Sequence, residues 1–315
     1  MKRIAIILLI TVFFTIGCSN QDNGSDTNSQ SDEGPIKIAV TIVPQVTFVE
    51  KVGGDRVEVF PLIPPGYSAE HHNPSPGEMR DLSDASLYFT IGVESEESGL
   101  VDTAKDLNPD LAFVDLAEEV DSVYPPIQYR KEIEIESDSH DHVEESPGEH
   151  GHDQGRDAHI WLSPKRVVVM IEKIQEELAK IDPDNASYYE QNADEYIQKL
   201  EELDQEIAQV MKDLPNKTFL MYHPSLGYFA DDYGLNMVSI ESEGKEATPA
   251  RLREIVDFAQ EHQIDVVFYQ QEHDQSQAET LANEIGGKTM EVIPLAPNYI
   301  ENMKAIKDTF KNTMQ

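Results

Sequence analysis

The sequence predicts an α/β fold with two similar lobes, each built on a four-stranded parallel sheet. Eight short segments rich in β-branched and aromatic residues fall into two groups of four along the chain. Helical stretches lie between these segments, and alternation of strands with helices is typical of parallel sheets. The third observation is one long amphipathic stretch, residues 183–214, which separates the two groups.

The predicted strands define two lobes, residues 36–182 and residues 215–315. The strands of the first lobe are predicted at 36–43, 57–63, 86–91 and 111–116. Those of the second lobe are predicted at 217–222, 236–240, 265–269 and 289–293. Because parallel α/β sheets bind ligands at the carboxyl ends of their strands, we expect functional residues there.

Two helices with clear start signals lie between the groups of strands. Ser163-Pro164 and Asp182-Pro183 each place an N-cap residue before a proline at the first helical position. The second helix has one apolar stripe, formed by Tyr189, Tyr196, Leu200, Leu203, Ile207, Val210 and Leu214. Its length is about 45 Å, so we predict a rigid linking helix that crosses both lobes. A coiled-coil dimer is the alternative.

The N-terminal residues 1–17 have the features of an export signal. Two basic residues precede an apolar run, 4–16, that is too short to favour a membrane span. The one cysteine, Cys18, stands where a lipoprotein signal is cut and lipidated, and the stretch resembles a lipobox with Thr15 in place of Leu. An ordinary cleavable signal is the alternative. Residues 18–35 are small and polar, which predicts a flexible tether and an extracytoplasmic, lipid-anchored protein.

The composition favours cations as ligands. The 315 residues include 60 acidic and 24 basic side chains, which give a net charge of −36 at pH 7. Such a charge opposes binding to nucleic acid and to anionic lipid, so we expect no nucleic-acid partner. We expect the membrane to be reached through the lipid anchor. A single cysteine excludes internal disulfide bonds, and the fold must therefore be held by its core.

An acidic, histidine-rich segment interrupts the first lobe at 131–156. It has no apolar period, which predicts a loop, and it holds four of the ten histidines. Imidazole is a common zinc ligand, but histidines in an unordered tract bind metal weakly. We therefore predict an auxiliary metal-binding role for His140, His142, His150 and His152.

Three other positions place metal ligands in a defined setting. His159 precedes an apolar triplet, Ile160–Leu162, and a capped helix. His223 follows the first strand of the second lobe, and the tripeptide 70–72, Glu-His-His, follows the second strand of the first lobe. Imidazole and carboxylate groups both bind zinc, so these positions predict a metal site.

Three motifs are similar to those of a known family. The segment "DAHIWLSP" at 157–164 corresponds to D-P-H-x-W-x-[SD]-P, and "HPSLGYFADDYGL" at 223–235 corresponds to H-x-x-[FL]-x-Y-F-x-x-x-Y-G-L. The segment "DPDNASYYEQNADEYIQKLEELD" at 182–204 matches the start of a linking helix. In these residues the chain resembles the zinc- and manganese-binding lipoproteins of bacterial ABC importers, the cluster A-I binding proteins. The acidic histidine-rich segment resembles that of the zinc-specific members.

The resemblance implies a monomeric carrier that holds a metal between its lobes and delivers it to an ABC importer, a membrane permease with its ATPase. Histidine at position 223 implies zinc rather than manganese, because manganese members tend to have Glu there. A manganese-preferring carrier and a surface adhesin of the same fold are the alternatives. The sequence has no H-E-x-x-H, G-x-S-x-G or Walker A motif, so a zinc hydrolase is disfavoured and we expect no enzyme activity.

The first-lobe ligand departs from the family pattern. That ligand usually lies in P-H-x-Y-E-P-x-P, and alignment with "AEHHNPSP" at 69–76 places Glu70 at the histidine position. A shift of one residue places His71 there instead. The resemblance therefore implies Glu70 or His71 ahead of His72.

The fourth ligand departs from the pattern as well. Ile293 stands where many members have a carboxylate. The remaining candidates are water, a histidine of the acidic segment, or a side chain from residues 269–275. We assign no metal role to His262 or to His273.

Overall fold

The computed structural model describes residues 34–69, 72, 74–127, 156–241, 246–273 and 275–314. The predicted signal peptide, Cys18, Glu70, His71 and the four histidines of the acidic segment lie outside these residues. Pro35–Gln315 form one compact unit. Within the described ranges, no helix has both the length and the apolar character that a membrane span requires.

The described strands form two parallel sheets with the same strand order. The first sheet has the order β2-β1-β3-β4, with β1 at Ile36–Val40, β2 at Val57–Pro61, β3 at Leu87–Thr90 and β4 at Ala112–Asp115. The second has the order β6-β5-β7-β8, with β5 at Thr218–Met221, β6 at Asn236–Ser239, β7 at Val266–Gln270 and β8 at Lys288–Val292. The predicted fold class is confirmed.

Strand pairing creates an equivalent crevice in each sheet. In the second sheet, β5 lies between β6 and β7, with Thr218 opposite Asn236 and Leu220 opposite Val267. The chain therefore leaves β5 toward one side and returns to β7 on the other. Such a switch point leaves an open crevice at the carboxyl ends of the two strands, where α/β sheets bind ligands.

Helices cover the sheets and connect them. In the first lobe they are α1 (Val43–Gly53), α2 (Pro76–Leu82), α3 (Val101–Leu107), α4 (Leu116–Val123) and α5 (Pro164–Ile181). The linking helix is α6 (Ala186–Asp213). The second lobe has α7 (Gly227–Asp232), α8 (Pro249–Glu261), α9 (Ser276–Glu284) and α10 (Tyr299–Thr313).

Helix α6 lies within the predicted linking segment and follows a 3₁₀ turn, Pro183–Asn185. Its buried face consists of Tyr189, Ala193, Tyr196, Leu200, Leu203, Ile207 and Met211. Met211 rather than Val210 is buried near the C-terminal end, because the last buried positions follow one another at intervals of four residues. The helix packs against α1 and α5 on one side and against α10 on the other, so it belongs to the core of both lobes.

Direct contacts also join the lobes. One continuous apolar core includes Phe48 of α1 and Phe310 of α10. The rings of Phe48 and Tyr299 meet edge to face, with centroids 5.0 Å apart. The Trp161 indole N–H donates to the carbonyl oxygen of Pro294 at 2.9 Å. The two sheets are therefore held in a fixed relation, which places their carboxyl edges face to face.

Candidate metal centre

A narrow pocket lies between the lobes at the carboxyl ends of β5 and β7. The first lobe contributes Ser68 and Ala69 from the loop after β2, and His159 and Trp161 from the segment before α5. The second lobe contributes His223, Gln270, Glu272, His273, Pro294 and Leu295. The predicted ligands His159 and His223 therefore share one pocket.

His159 is held by a carboxylate and by a buried turn. Its side chain is buried, and its Nδ1 lies 2.9 Å from Oδ1 of Asp157. Its backbone N–H donates to the same oxygen at 2.9 Å. The following 3₁₀ turn, Ile160–Leu162, is fully buried and fixes the backbone. A carboxylate on Nδ1 sets the tautomer in which Nε2 is the metal-binding atom.

His223 has the same arrangement in the second lobe. It follows β5, and its Nδ1 lies 3.2 Å from Oε2 of Glu241, a buried residue just after β6. Carboxylate–histidine pairs of this kind orient the ring and increase the basicity of the other nitrogen. Each lobe therefore presents one imidazole that is oriented by a carboxylate at Nδ1, so that Nε2 is the ring nitrogen on the other side.

The rings of three histidines lie close together. The centroids of His159 and His223 are 5.4 Å apart, and those of His223 and His273 are 4.3 Å apart with ring planes inclined by 18°. One ligand atom each from His223, His273 and Glu241 lies within 4.8 Å of the others. Because the Glu241 carboxylate is hydrogen-bonded to Nδ1 of His223, its position suits a role in orienting that ring.

Glu272 brings a carboxylate to the same pocket. Its Oε2 is buried and has no hydrogen-bond partner among the described residues. Burial raises the pKa of Glu272, and the nearby His159 and His223 oppose that shift. A carboxylate oxygen that is buried without a partner is unfavourable, and a bound cation removes the penalty. The Gln270 amide nitrogen on the same wall is also buried without a partner in the described part of the chain.

The loop after β2 reaches the pocket directly before the predicted first-lobe ligands. Ser68 and Ala69 line the wall. The Ser95 hydroxyl, which is buried at the start of the helical turn after β3, donates to the carbonyl oxygen of Ala69 at 3.0 Å. This bond fixes the backbone next to Glu70 and His71, which lie outside the described residues.

His72 lies away from the pocket. Its Nε2 is 3.5 Å from Oε2 of Glu78, at the start of α2. Its ring packs against Tyr67, with centroids 4.8 Å apart. The side chain of His72 is therefore engaged with α2 and its neighbouring loop instead of the metal-binding pocket.

Residues 38–313 match the family model of ZnuA, the periplasmic component A of the zinc-uptake complex. The chain belongs to this family. The resemblance that the motifs predicted is thereby confirmed.

Two curated relatives are similar over nearly the whole chain. The high-affinity zinc uptake system protein ZnuA of Bacillus subtilis is 30% identical over 328 residues, which cover 99% of this chain and 98% of that protein. The zinc-binding lipoprotein AdcA of Streptococcus pneumoniae strain TIGR4 is 30% identical over 330 residues, 98% of this chain. The match covers 61% of AdcA, so this chain corresponds to part of that longer protein.

Solved structures of ZnuA and AdcA share the fold. A crystal structure of ZnuA superposes with a TM-score of 0.78 at 32% identity, covering 89% of this chain and 100% of that one. The crystal structure of Zn(II)-bound AdcA from S. pneumoniae gives a TM-score of 0.69 at 27% identity, covering 89% of this chain and 58% of that one.

In this member of the ZnuA family, the loop after β7 supplies the pocket carboxylate. The segment after β8 still reaches the pocket through Pro294 and Leu295, but Ile293 provides no ligand atom. Glu272, in the loop after β7, lines the same pocket. Of the three candidates for a fourth ligand, the segment 269–275 is the one whose side chains lie in the pocket among the described residues.

Sequence reasoning missed several residues of this pocket. His273, to which we assigned no metal role, lies in the pocket wall, with its ring stacked on that of His223. The supporting carboxylates Asp157 and Glu241 were not predicted, and Gln270 was predicted only as a member of the candidate segment 269–275. The sequence signal that could have identified Gln270 and Glu272 was their position at the carboxyl end of a predicted strand, which is also the position of His223.

Proposed function

We propose that the chain captures zinc outside the cytoplasm and delivers it to the permease of an ABC importer. The observation that supports this most strongly is the pair of buried imidazoles, His159 and His223, which face each other from two lobes. Membership of the ZnuA family and the names of its zinc-binding relatives support the same conclusion. The predicted export signal and Cys18 support a lipid-anchored, extracytoplasmic location, and the family resemblance implies a monomeric carrier.

The proposed ligands are Nε2 of His159, Nε2 of His223, a carboxylate oxygen of Glu272, and either Glu70 or His71. These groups match the nitrogen and oxygen donors that zinc prefers in a four-coordinate site. At least two imidazoles favour zinc over manganese, which binds more readily to sets of oxygen ligands.

Glu272 is a better fourth ligand than His273. The ring of His273 is nearly parallel to that of His223. The lone pairs of imidazole nitrogens lie in the ring plane, so stacked rings do not converge on one ion. We therefore assign His273 to the pocket wall, where it restricts the movement of His223.

We also propose that His140, His142, His150 and His152 gather zinc for this site. The described residues on either side of the acidic segment meet beside the pocket, because the Asp157 N–H donates to the carbonyl oxygen of Ile127 at 2.8 Å. Zinc bound between them is therefore delivered near His159. Deletion of residues 137–155 should reduce zinc uptake when zinc is scarce and leave it unchanged when zinc is abundant. Unchanged uptake in scarce zinc would rule out this capture role.

The metal site is tested by competition with a chromophoric chelator. The chain from Ser19 onward, which contains the whole compact unit, is titrated with zinc and with manganese. We expect one tight zinc equivalent and weak manganese binding. His159→Ala and His223→Ala should each weaken zinc binding by at least a hundredfold, and Glu272→Gln by about 10–100-fold.

Two variants serve as controls. His273→Asn should change zinc affinity much less than Glu272→Gln does. His262→Ala should change nothing, because that ring packs on Phe258 at the end of α8. Several weak zinc equivalents that are insensitive to His223→Ala would contradict the proposed site.

A further inference from the structure

A buried ion pair joins the two lobes beside the pocket. Arg166, in the first turn of α5, donates from Nε to Oδ2 of Asp232 at 2.8 Å and from Nη2 to Oδ1 at 3.1 Å. Asp232 is the last residue of α7 in the other lobe. Both side chains are only 3% exposed. Water does not reach either side chain while the lobes are packed together. Separating the two charges is therefore unfavourable, because neither is hydrated in exchange for its lost partner.

Neighbouring groups fix both partners of the pair. The Ser163 hydroxyl donates to Oδ2 of Asp232 at 2.6 Å, and Lys165 Nζ lies 2.6 Å from Oδ1. The Arg166 guanidinium lies over the ring of Tyr228, 4.5 Å from its centroid. Burial alone raises the pKa of Asp232, but hydrogen bonds from Arg166, Lys165 and Ser163 outweigh it and lower the pKa below its ordinary value.

The pair connects the two segments that bear the imidazoles. Arg166 follows His159 by seven residues, and Asp232 follows His223 by nine. The residues between His159 and Arg166 include the buried stretch 160–164. A buried stretch of backbone therefore connects Arg166 to His159, and α7 connects Asp232 to the segment that begins with His223.

A second contact shows how closely these segments approach. Gly227, at the start of α7, lies so near Asp157 that a Cβ atom there would be 2.2 Å from Oδ2 of that carboxylate. Asp157 is the residue that holds the ring of His159. Helix α7 therefore contacts the first lobe at both of its ends. Its first residue, Gly227, lies beside the Asp157 that holds His159, and its last residue, Asp232, forms the ion pair.

We propose that Arg166 and Asp232 form an interlobe clasp that sets the spacing of His159 and His223 and must open for zinc to leave. This inference rests on the proposed zinc site. The two residues are positioning residues, since neither lines the pocket. The clasp should slow zinc dissociation more than it affects zinc association, because the lobes separate during release.

The clasp is tested with the double variant Arg166→Met/Asp232→Asn. Removing both charges avoids leaving a fully buried charge unpaired, because the remaining partner, Lys165, is 32% exposed, and Asn keeps an acceptor for Ser163. Zinc dissociation is followed by stopped flow into excess chelator, using the chain from Ser19 onward. We expect the dissociation rate to rise at least tenfold and the visible spectrum of the cobalt(II)-loaded protein to change, because the ligand spacing changes.

A conservative variant and a matched control accompany the double variant. Arg166→Lys keeps the charge but loses the two-pronged contact, so we expect a smaller increase in the dissociation rate. Its result stands even if the double variant does not fold. Lys307→Met/Glu206→Gln removes an ion pair of 2.9 Å between α10 and α6, remote from the imidazole segments, and should leave the dissociation rate unchanged.

The outcomes separate the clasp from the zinc site itself. If the wild type binds one zinc tightly through His223 but Arg166→Lys and the double variant release it at the wild-type rate, the clasp is refuted. A lower melting temperature of the zinc-free protein with unchanged dissociation would likewise show that the pair only stabilises the fold. If the wild type has no zinc equivalent that depends on His223, the proposed function fails instead.

Discussion

At the scale of single residues, a buried carboxyl group supports the first-lobe side of the pocket. Glu96, in the helical turn Glu96–Leu100 that follows β3, accepts hydrogen bonds from the backbone N–H groups of Ile91 at 3.0 Å and Gly92 at 2.7 Å, and from the Thr41 hydroxyl. The adjacent Ser95 holds the carbonyl of Ala69. Burial raises the pKa of Glu96 from 4.5 to about 7. The backbone next to the proposed first-lobe ligands is therefore supported by a group that changes charge near neutral pH.

This titration predicts that the stability of the zinc-free protein depends on pH. Between pH 4.5 and pH 7 the folded state keeps a proton on Glu96 that the unfolded state has lost. The contribution of protonated Glu96 to the free energy of unfolding is therefore fully present below pH 4.5 and is lost as pH rises through 7. The loss amounts to roughly 3 kcal/mol. Urea unfolding at pH 5 and at pH 8 should show that the free energy of unfolding decreases more between these pH values for the wild type than for Glu96→Gln. Glu94→Gln, an exposed control, should behave like the wild type, and parallel falls for all three would contradict this role.

At the scale of secondary structure, α6 is the element that both lobes share. Leu200 is fully buried on its inner face, and Lys199 is exposed beside it. The apolar period along the helix is local, so the sequence predicted its extent and most of its buried face. Pairing of β5 with β7 joins segments more than forty residues apart, and no local pattern encodes it. That pairing is why His223 was predicted individually, while Gln270 and Glu272 were predicted only as members of the candidate segment 269–275.

The shared role of α6 predicts separate effects on stability and on metal binding. Leu200→Ala leaves a cavity in the core and should lower the free energy of unfolding by about 2–5 kcal/mol. Lys199→Ala should change it by less than about 0.5 kcal/mol. Both variants should still bind one zinc, because neither residue lines the pocket. Denaturant unfolding and zinc titration check the two effects. Equal stability of the two variants would show that α6 is not part of the core.

At the scale of the whole molecule, two sheets of identical strand order face each other across one pocket. The motif around His159 and that around His223 come from different lobes, and the resemblance to a family was enough to predict that they meet. Interlobe contacts such as Trp161 to Pro294 and the Arg166–Asp232 pair could not be predicted, because they depend on how two separately encoded lobes pack. These contacts, together with α6, favour small rearrangements on zinc binding over a wide hinge motion.

A crystal structure of the zinc-loaded chain, with anomalous scattering recorded at the zinc edge, tests the central claim most directly. We expect one strong peak between the lobes, about 2.0–2.1 Å from Nε2 of both His159 and His223 and about 2.0–2.2 Å from a carboxylate oxygen of Glu272. A zinc peak elsewhere, with the two imidazoles still facing each other and no metal between them, would contradict the account.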